Sequence, residues 1–592
     1  MIADGRLQGI PFHDKDLQTL LERVKAEGSS FFTVTLPLLG RAHDLGLVTG
    51  HFICPANFAR KRESCLPRFL HAVLNQVFDL EGNLLCNPLN SSVYFLRQFL
   101  LFDAKLIQEP TPKQKSAAIA GFIERQDTLR KVRIPVNHPV LVRAKALLKD
   151  VLSSLDLSTI LPGHGPGIVA EGLDREERWD FDYWPAKAER HYPFLVYGSP
   201  SMSSTILRGK GIPLRKKMVT KCCLVPKDFR GPRLISAEPA VNQYLQQGQM
   251  RRIMQYVDDH PIIGLSLKMR DQTRNQRMAQ RSVEDCTATL DLSDASDTVS
   301  TTLVWYLLSD LPELRRYLMS TRSDYLSYEG KEVKIVAFAP MGSAVCFPIE
   351  SLVFWALTMG SLMLVRHSGR PSWATFVREL SSSIGVFGDD IIVPKEALDV
   401  LIGTLVSVGC KPNMSKTCSS TVFRESCGTE WMSNTDVTII RNRRYYYDDR
   451  RSFSDHPVLL NLQRKFFLRG LRSTAKVLLD WAREIYPVVQ IPFEFYPRNP
   501  STESDRSATL HSEELGKKSY PSTLEVRLGI QLISYTERNK LRGLHASRVL
   551  ASEIESYFER QRYALDSFPV AIGDDVDLDG LCRIRYNSKL HR

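Results

Sequence analysis

Nowhere in the 592 residues do two cysteines form a C-x-x-C pair, and no histidine joins them at zinc spacing. The eleven cysteines are scattered, with Cys222 and Cys223 adjacent, which suits neither a disulfide framework nor a metal knuckle and points to a reducing cytosol. The first 28 residues mix charges with short apolar groups and lack the apolar core and cleavage site of a signal peptide, so no export is expected. There is no internal repeat and no long low-complexity tract. The most linker-like stretch, 497–523, is rich in Ser, Thr, Pro and charge and predicts an exposed loop. Gly163, Gly165 and Gly167 are spaced G-x-G-x-G, which is not a nucleotide-binding fingerprint, and Pro166 removes an amide that a phosphate cradle would use. They predict a structural turn. One apolar run, "VCFPIESLVFWALTMGSLMLV" at 345–365, is nearly long enough to span a bilayer, but it contains Pro348 and Glu350. A carboxylate costs roughly 2.5–3.5 kcal/mol at the centre of an inserted helix, and no second span accompanies this one. The run predicts a buried core helix, with no membrane partner.

What is present is a large apolar fraction, 43%, enough for an extensive core, and a formal charge of +12 with a pI near 9.1. That balance points to a polyanionic partner, nucleic acid first. Residues 1 to about 210 pattern as helices with Pro/Gly breaks, 220–440 alternates β-rich runs with amphipathic helices, and the last 150 residues return to helical patterning. The fold class expected is α+β.

Two acidic turns share the tripeptide GDD. Around "VFGDDIIVP" (386–394) the flanks are apolar, predicting a hairpin of buried strands with Gly388, Asp389 and Asp390 at its tip. Around "AIGDDVDLDG" (571–580) they are polar. Asp575, Asp577, Asp579 and Gly580 start like a calcium loop, but its twelfth position is Tyr586 rather than a bidentate Glu, so a solvated loop is expected. Carboxylates at a hairpin tip repel one another and are tolerated if they stay solvated or share a cation. Asp291 ends a predicted strand, "CTATLDL", and pairing of that strand with the hairpin would bring it beside Asp389; Val299, Thr302, Leu303, Tyr306 and Leu307 then form one helical face. Leu398, Leu401, Ile402 and Leu405 form a second stripe, ended by Gly409. Three clustered carboxylates can hold two divalent ions of the kind that assist in-line phosphoryl displacement.

Lys227, Arg230 and Arg233, at steps of three, could line a triphosphate channel from an extended or irregular strand or form a solvated basic face. Asp297 could accept a ribose hydroxyl or cap a helix. Gly342 and Ser343 could let backbone approach template or nucleotide, or make a helix-entry turn. Lys416 could donate a proton to, or neutralise, departing pyrophosphate, or lie on the surface. In "RNRRYYYDDRR" (441–451), Arg441, Arg443 and Arg444 could neutralise RNA phosphates beside stacking tyrosines, or the run could be a strand alternating between core and surface.

The ordered set "VPKDFRGPR", "DQTRNQR", "LDLSDASD", "MGSAVCFPIESL", "VFGDDIIVP", "NMSKT" and "FRESCG" resembles the catalytic subunit of leviviral, Qβ-like RNA phage replicases, over about 221–428. The resemblance implies a right-hand polymerase that copies RNA on an RNA template without a primer. Its parts would be 1–285 (N-terminal region and fingers), 286–310 (palm), 311–338 (an insertion between fingers and palm), 339–440 (palm) and 441–592 (thumb and C-terminal region). It implies Asp291, Asp389, Asp390 and the Leu292 carbonyl as ligands of two Mg2+ ions, for which Mn2+ could substitute. Lys227, Arg230 and Arg233 would meet the incoming NTP, joined by Asp297, Gly342 and Ser343, and Lys416 would follow the hairpin helix. The partners implied are template and product RNA, NTPs, host EF-Tu and EF-Ts and a ribosomal protein, in the host bacterial cytoplasm. Phe387 stands where many RNA polymerases have Tyr, and Glu350 where an Asn often reads ribose. A reverse transcriptase, a non-catalytic RNA-binding scaffold and a metal-dependent nuclease are the rival readings.

Overall fold

The apolar run at 345–365 folds as the helix Cys346–Arg366, and the larger of two compact units is built around it. The computed structural model describes residues 1–198, 212–366, 373–444, 456–485, 488–492 and 530–534. The units are Pro11–Arg443, and Met1–Ile10 with the residues from Arg444 onward. Among the described residues this helix alone is long and apolar enough to cross a membrane, yet 83% of its most apolar window is buried inside the protein. Trp355 donates its indole N–H to Ser266 Oγ at 2.6 Å, so its polar atom is satisfied in the core. At Gly360 an added Cβ would lie 2.8 Å from the Val140 carbonyl, and its absence lets the helix Pro139–Leu152 pack closely alongside. The reading as a core helix therefore holds.

Before Leu214 the larger unit is mainly helical, with long segments at Asp14–Glu27, Leu36–Thr49, Asn90–Leu101, Pro112–Lys131 and Pro139–Leu152. Strands and helices then alternate. One four-stranded sheet runs Gly231–Ala237, Val219–Asp228, Tyr325–Tyr328, Lys331–Lys334, and a three-stranded sheet runs Thr287–Leu290, Asp390–Pro394, Gly385–Phe387. A third sheet is the meander Phe423–Ser426, Thr429–Met432, Thr435–Asp436. The class is α+β, as expected. Gly163, Gly165 and Gly167 do form a packed turn: Arg178 Nη1 donates to the carbonyls of Gly165 and Gly167 at 3.2 and 2.7 Å.

One predicted helical face needs correction. The helix after Asp291 is broken into Ala295–Thr298 and Thr301–Leu307, because Val299 turns extended and Ser300 starts a new helix by accepting the Leu303 N–H at 3.0 Å. The break rotates the second segment, so Leu303, Val304, Leu307 and Leu308 are buried while Thr302 is exposed. The stripe after the hairpin is as read: Leu398, Leu401 and Leu405 are buried in the helix Lys395–Ser407.

In the smaller unit, His456–Leu468 and Arg472–Ile485 pack through Leu459, Leu460, Ala482 and Ile485. Asp4, on the helix Ile2–Leu7, accepts the Ser473 and Thr474 N–H groups at 2.7 and 2.9 Å and so caps the second of them. Val488–Pro492 pairs with Ile530–Ser534 in antiparallel fashion, a strand pair the helical patterning did not announce. The linker-like stretch 497–523, the second acidic turn at 571–580 and the tyrosines of 445–447 lie outside the described residues.

Glu238, between the strand Gly231–Ala237 and the helix Ala240–Asp259, is buried, and burial pushes its carboxyl from 4.5 up to about 7 despite a 2.5 Å bond from Ser323 Oγ. A carboxyl raised in the folded state binds its proton more tightly there than in the unfolded chain. It therefore costs stability as pH climbs from the unfolded value through the folded one. Between pH 6 and 8 the wild type should lose about 1.4 kcal/mol more than Glu238→Gln. Urea titrations at both values check this, and equal losses in the two proteins would refute it.

Candidate active site

Strand register builds the acidic centre. Thr287–Leu290 pairs antiparallel with Asp390–Pro394, Leu290 opposite Ile391, so one further step puts Asp291 level with Asp390. Asp390 in turn pairs with Phe387, leaving Gly388 and Asp389 as a two-residue tip, and Gly388 at φ +60° supplies the left-handed turn. The first turns of the core helix hold this tip. Ser351 Oγ accepts the Gly388 N–H at 3.1 Å, and the Phe347 and Phe387 rings meet edge to face at 4.9 Å. The helix Thr273–Arg281, from the "DQTRNQR" motif, braces the other side: Asn275 Nδ2 donates to the Asp390 carbonyl at 3.1 Å.

Asp291 is pinned by a residue the sequence reading did not single out. Asn413 donates its backbone N–H to the Asp291 carbonyl at 2.8 Å and its amide to Asp291 Oδ2 at 3.1 Å. This follows from the pairing of Lys411–Pro412 with Leu292–Ser293, which also fixes Leu292. Three residues later Lys416 places Nζ 3.6 Å from Asp291 Oδ2 and 3.4 Å from Glu425 Oε1. Lys416 is thus an exposed lysine whose charge reaches into the acidic centre. Its pKa is raised: burial works against this, but Glu425 and Asp291 outweigh it.

Positive charge does not balance the cluster. Burial raises the pKa of Asp291 and of Asp389, with Lys416 opposing in both cases and Arg233 and Lys227 also opposing at Asp389. Asp390 is pushed up to about 7 by burial, helped by Asp389 and Asp291. Glu350, on the core helix, is raised to about 8 by burial and then by Asp389. Oxygen donors raised by burial and by one another suit a divalent ion, which would relieve their repulsion. As the side chains stand, no three His, Cys, Asp or Glu groups among the described residues converge tightly enough to hold one.

The cations expected along one extended or irregular strand are divided over the two strands of a hairpin. Lys227 lies on Val219–Asp228 and Arg233 on Gly231–Ala237, with Val225 opposite Arg233 and a register shift before Asp228. Lys227 and Arg233 act on Asp389, whereas Arg230 is turned back on Asp228, its Nη2 2.6 Å from Oδ2. The step of three carries no common face here, because the turn falls between the positions.

Asp297 caps neither helix segment. It is held instead by Arg125 of the helix Pro112–Lys131, whose Nε is 3.0 Å from Oδ2. Gly342, at φ +121°, lies against backbone: a Cβ there would lie 2.2 Å from the Ser236 carbonyl oxygen. Ser343 Oγ donates to Gln246 Oε1 at 2.9 Å. Both features belong to the entry into the core helix. Gly342→Ala should cost roughly 2–4 kcal/mol in thermal or urea unfolding, and a loss below 1 kcal/mol would contradict this packing.

Arg441 is also a correction. Its Nη2 lies 2.7 Å from Oε1 of buried Glu430, so its charge is spent inside the protein rather than on RNA. Arg443 and Arg444 are exposed.

An antiparallel sheet end carrying three carboxylates, faced by a cationic hairpin, is the kind of site that handles a charged phosphate substrate. Residues 211–450 match the family model described as RNA replicase, beta-chain, which bears out the resemblance drawn from the motifs over that stretch. The RNA-directed RNA polymerase beta chain of Enterobacteria phage fr is 38% identical over 214 residues, 36% of each chain. That of Escherichia phage MS2 is 37% identical over 214 residues, again 36% of each. The corresponding subunit of Escherichia virus Qbeta is 36% identical over 227 residues, 38% of this chain and 35% of that one. The chain thus spans about a third of the length of these relatives. The solved RNA-dependent RNA polymerase of a human picorbirnavirus aligns over 63% of this chain and 74% of its own, at 12% identity and a TM-score of 0.38.

Proposed function

We propose that this chain is an RNA-directed RNA polymerase that replicates a single-stranded RNA phage genome in the cytoplasm of its bacterial host. The observation that carries the reading is the register that brings Asp291 level with the Asp389–Asp390 tip, with Lys227 and Arg233 facing it. In the right-hand arrangement, 286–310 and 339–440 serve as palm, 1–285 as N-terminal region and fingers, 311–338 as an insertion between them and 441–592 as thumb and C-terminal region. Initiation needs no primer. EF-Tu, EF-Ts and a ribosomal protein are the proposed host partners.

In the proposed reaction the 3′ hydroxyl oxygen of the growing strand attacks the α-phosphorus of an NTP. The bond to the bridging oxygen breaks, and pyrophosphate leaves. Asp291, Asp389, Asp390 and the Leu292 carbonyl would hold Mg2+, which when bound supplies positive charge to the attacking and leaving oxygens. The protein's own share is positional and electrostatic. Asn413 fixes the Asp291 carboxylate, while the core helix fixes the tip through Ser351. Lys227 and Arg233 draw the triphosphate toward the acidic turn. Lys416 stays protonated beside Asp291 and Glu425 and can neutralise charge on the departing pyrophosphate.

Incubating the purified chain, with host extract as a second arm, with a labelled RNA template, Mg2+ and four NTPs tests the proposal. Magnesium-dependent RNA synthesis is expected. Preference for dNTPs would favour a reverse transcriptase, shortened template a nuclease, and binding without synthesis in both arms a scaffold.

A further inference from the structure

We propose that Arg125 is the positioning residue that sets Asp297 to recognise the ribose of the incoming nucleoside triphosphate. The inference rests on the polymerase reading and extends it to a residue outside the 211–450 match. Arg125 lies 172 positions before Asp297, on the helix Pro112–Lys131.

The geometry is asymmetric. Nε and Nη2 of Arg125 both lie 3.0 Å from the same oxygen, Asp297 Oδ2. Oδ1 accepts no hydrogen bond from the described residues, and it is not among the buried polar atoms shut off from solvent. The Nε hydrogen bond, backed by the ion-pair contact of Nη2, holds this one oxygen and leaves the other presented as an acceptor. An acceptor fixed in this way suits a hydroxyl donor, which a ribose offers at a position where a deoxyribose has none.

The support behind the fork is rigid. Gln126, the next residue and fully buried, accepts the N–H groups of Val336 and Ala337 at 2.8 and 3.0 Å, locking the helix to the segment that leads into the core-helix entry. Arg125 Nη1 also reaches Asp294 Oδ2 at 3.7 Å, steadying a residue whose φ of +52° marks the tight turn before Asp297. Arg125 is the one cation among the described residues that acts on Asp297. The segment Ala295–Thr298 packs on the core helix, whose Glu350 Oε1 would lie 3.3 Å from a Cβ at Gly388, so Asp297 stands beside the helix that holds the acidic tip. Without Arg125 the carboxylate would face Asp294 and Glu350 with no opposing charge and no fixed orientation.

The test is steady-state incorporation of an NTP and the matching dNTP by the full chain and its variants. The host factors used with the wild type are included throughout. Asp297→Ala should lower the NTP-over-dNTP ratio of kcat/KM by about tenfold or more. Arg125→Gln should lower it by about tenfold, chiefly through a higher KM for NTP, and Arg125→Lys should fall between it and wild type. The double variant Arg125→Gln/Asp297→Ala should match Asp297→Ala alone, because both remove one device. An Arg125→Gln ratio within twofold of wild type while Asp297→Ala loses discrimination would overturn the proposal, as would losses that multiply in the double variant. An unchanged ratio for Asp297→Ala would also overturn it while leaving the polymerase reading standing. Absence of incorporation by the wild type counts against that reading instead. Should Arg125→Gln fail to fold, Arg125→Lys carries the same comparison, and a normal ratio in the folded Lys variant with unchanged KM refutes the role.

Discussion

Asp389→Asn is expected to cut nucleotide incorporation by on the order of a thousandfold while leaving RNA affinity within about twofold of wild type. Asparagine keeps the size of the side chain, and the turn depends on Gly388 and on the Ser351 and Phe347 contacts rather than on the Asp389 charge. The fold should therefore persist. What disappears is one negative charge at the point where Lys227, Arg233 and Lys416 converge and where a divalent ion would be shared. RNA affinity draws on the basic surface as a whole and responds to salt, not to one turn residue. Incorporation assays and filter binding on the same preparations separate the two effects. Near-normal synthesis by the variant would remove Asp389 from the catalytic centre.

The second large effect is on stability. Arg97→Ala should destabilise the chain by about 3–5 kcal/mol, the usual consequence of stranding buried carboxylates. Arg97 is 1% exposed and lies on the helix Asn90–Leu101. Its Nε and Nη2 bind Asp44 at 2.8 and 3.1 Å, and its Nη1 and Nη2 lie 2.8 and 2.7 Å from Glu430. The arginine holds the Asp44 carboxyl well below the usual carboxylate range even though burial opposes it. Removing the guanidinium strips Asp44 and Glu430 of their shared partner, leaving Glu430 with Arg441 as its ion pair. Glu430 pairs across the sheet with Glu425, which holds Lys416, so the damage should reach the acidic centre too. Urea unfolding measures the loss, and a change under 1 kcal/mol would show that the network carries little.

Features written in neighbouring residues were legible in the sequence. The acidic hairpin announced itself by apolar flanks around Gly388, and the core helix by a run too long for a strand and too polar at Pro348 and Glu350 for a membrane. Partnerships across long separations were not. Arg125 with Asp297, and Arg97 with Asp44 and Glu430, join residues whose local surroundings give no periodic signal. The error over Arg230 has a different origin. A step of three suggests a shared face along one strand, straight or irregular, but Gly231 opens the returning strand and Asp228 captures the arginine beside the turn. Arg441 was misread because an arginine beside tyrosines looks alike whether it faces RNA or a buried glutamate. Asn413 and Glu425 sat inside the strings that carried the resemblance, and only the pairing of Lys411–Pro412 and the meander revealed their work.

The register between Thr287–Leu290 and Asp390–Pro394 has a bearing on how such a chain can change length. Adding or deleting a single residue within 385–389 would invert every later position of the strand, forcing Ile391 and Val393 into the space that Ile392 fills and carrying Asp390 away from Asp291. Substitution is open to this hairpin, but indels are not, and related chains should vary in length everywhere before they vary there.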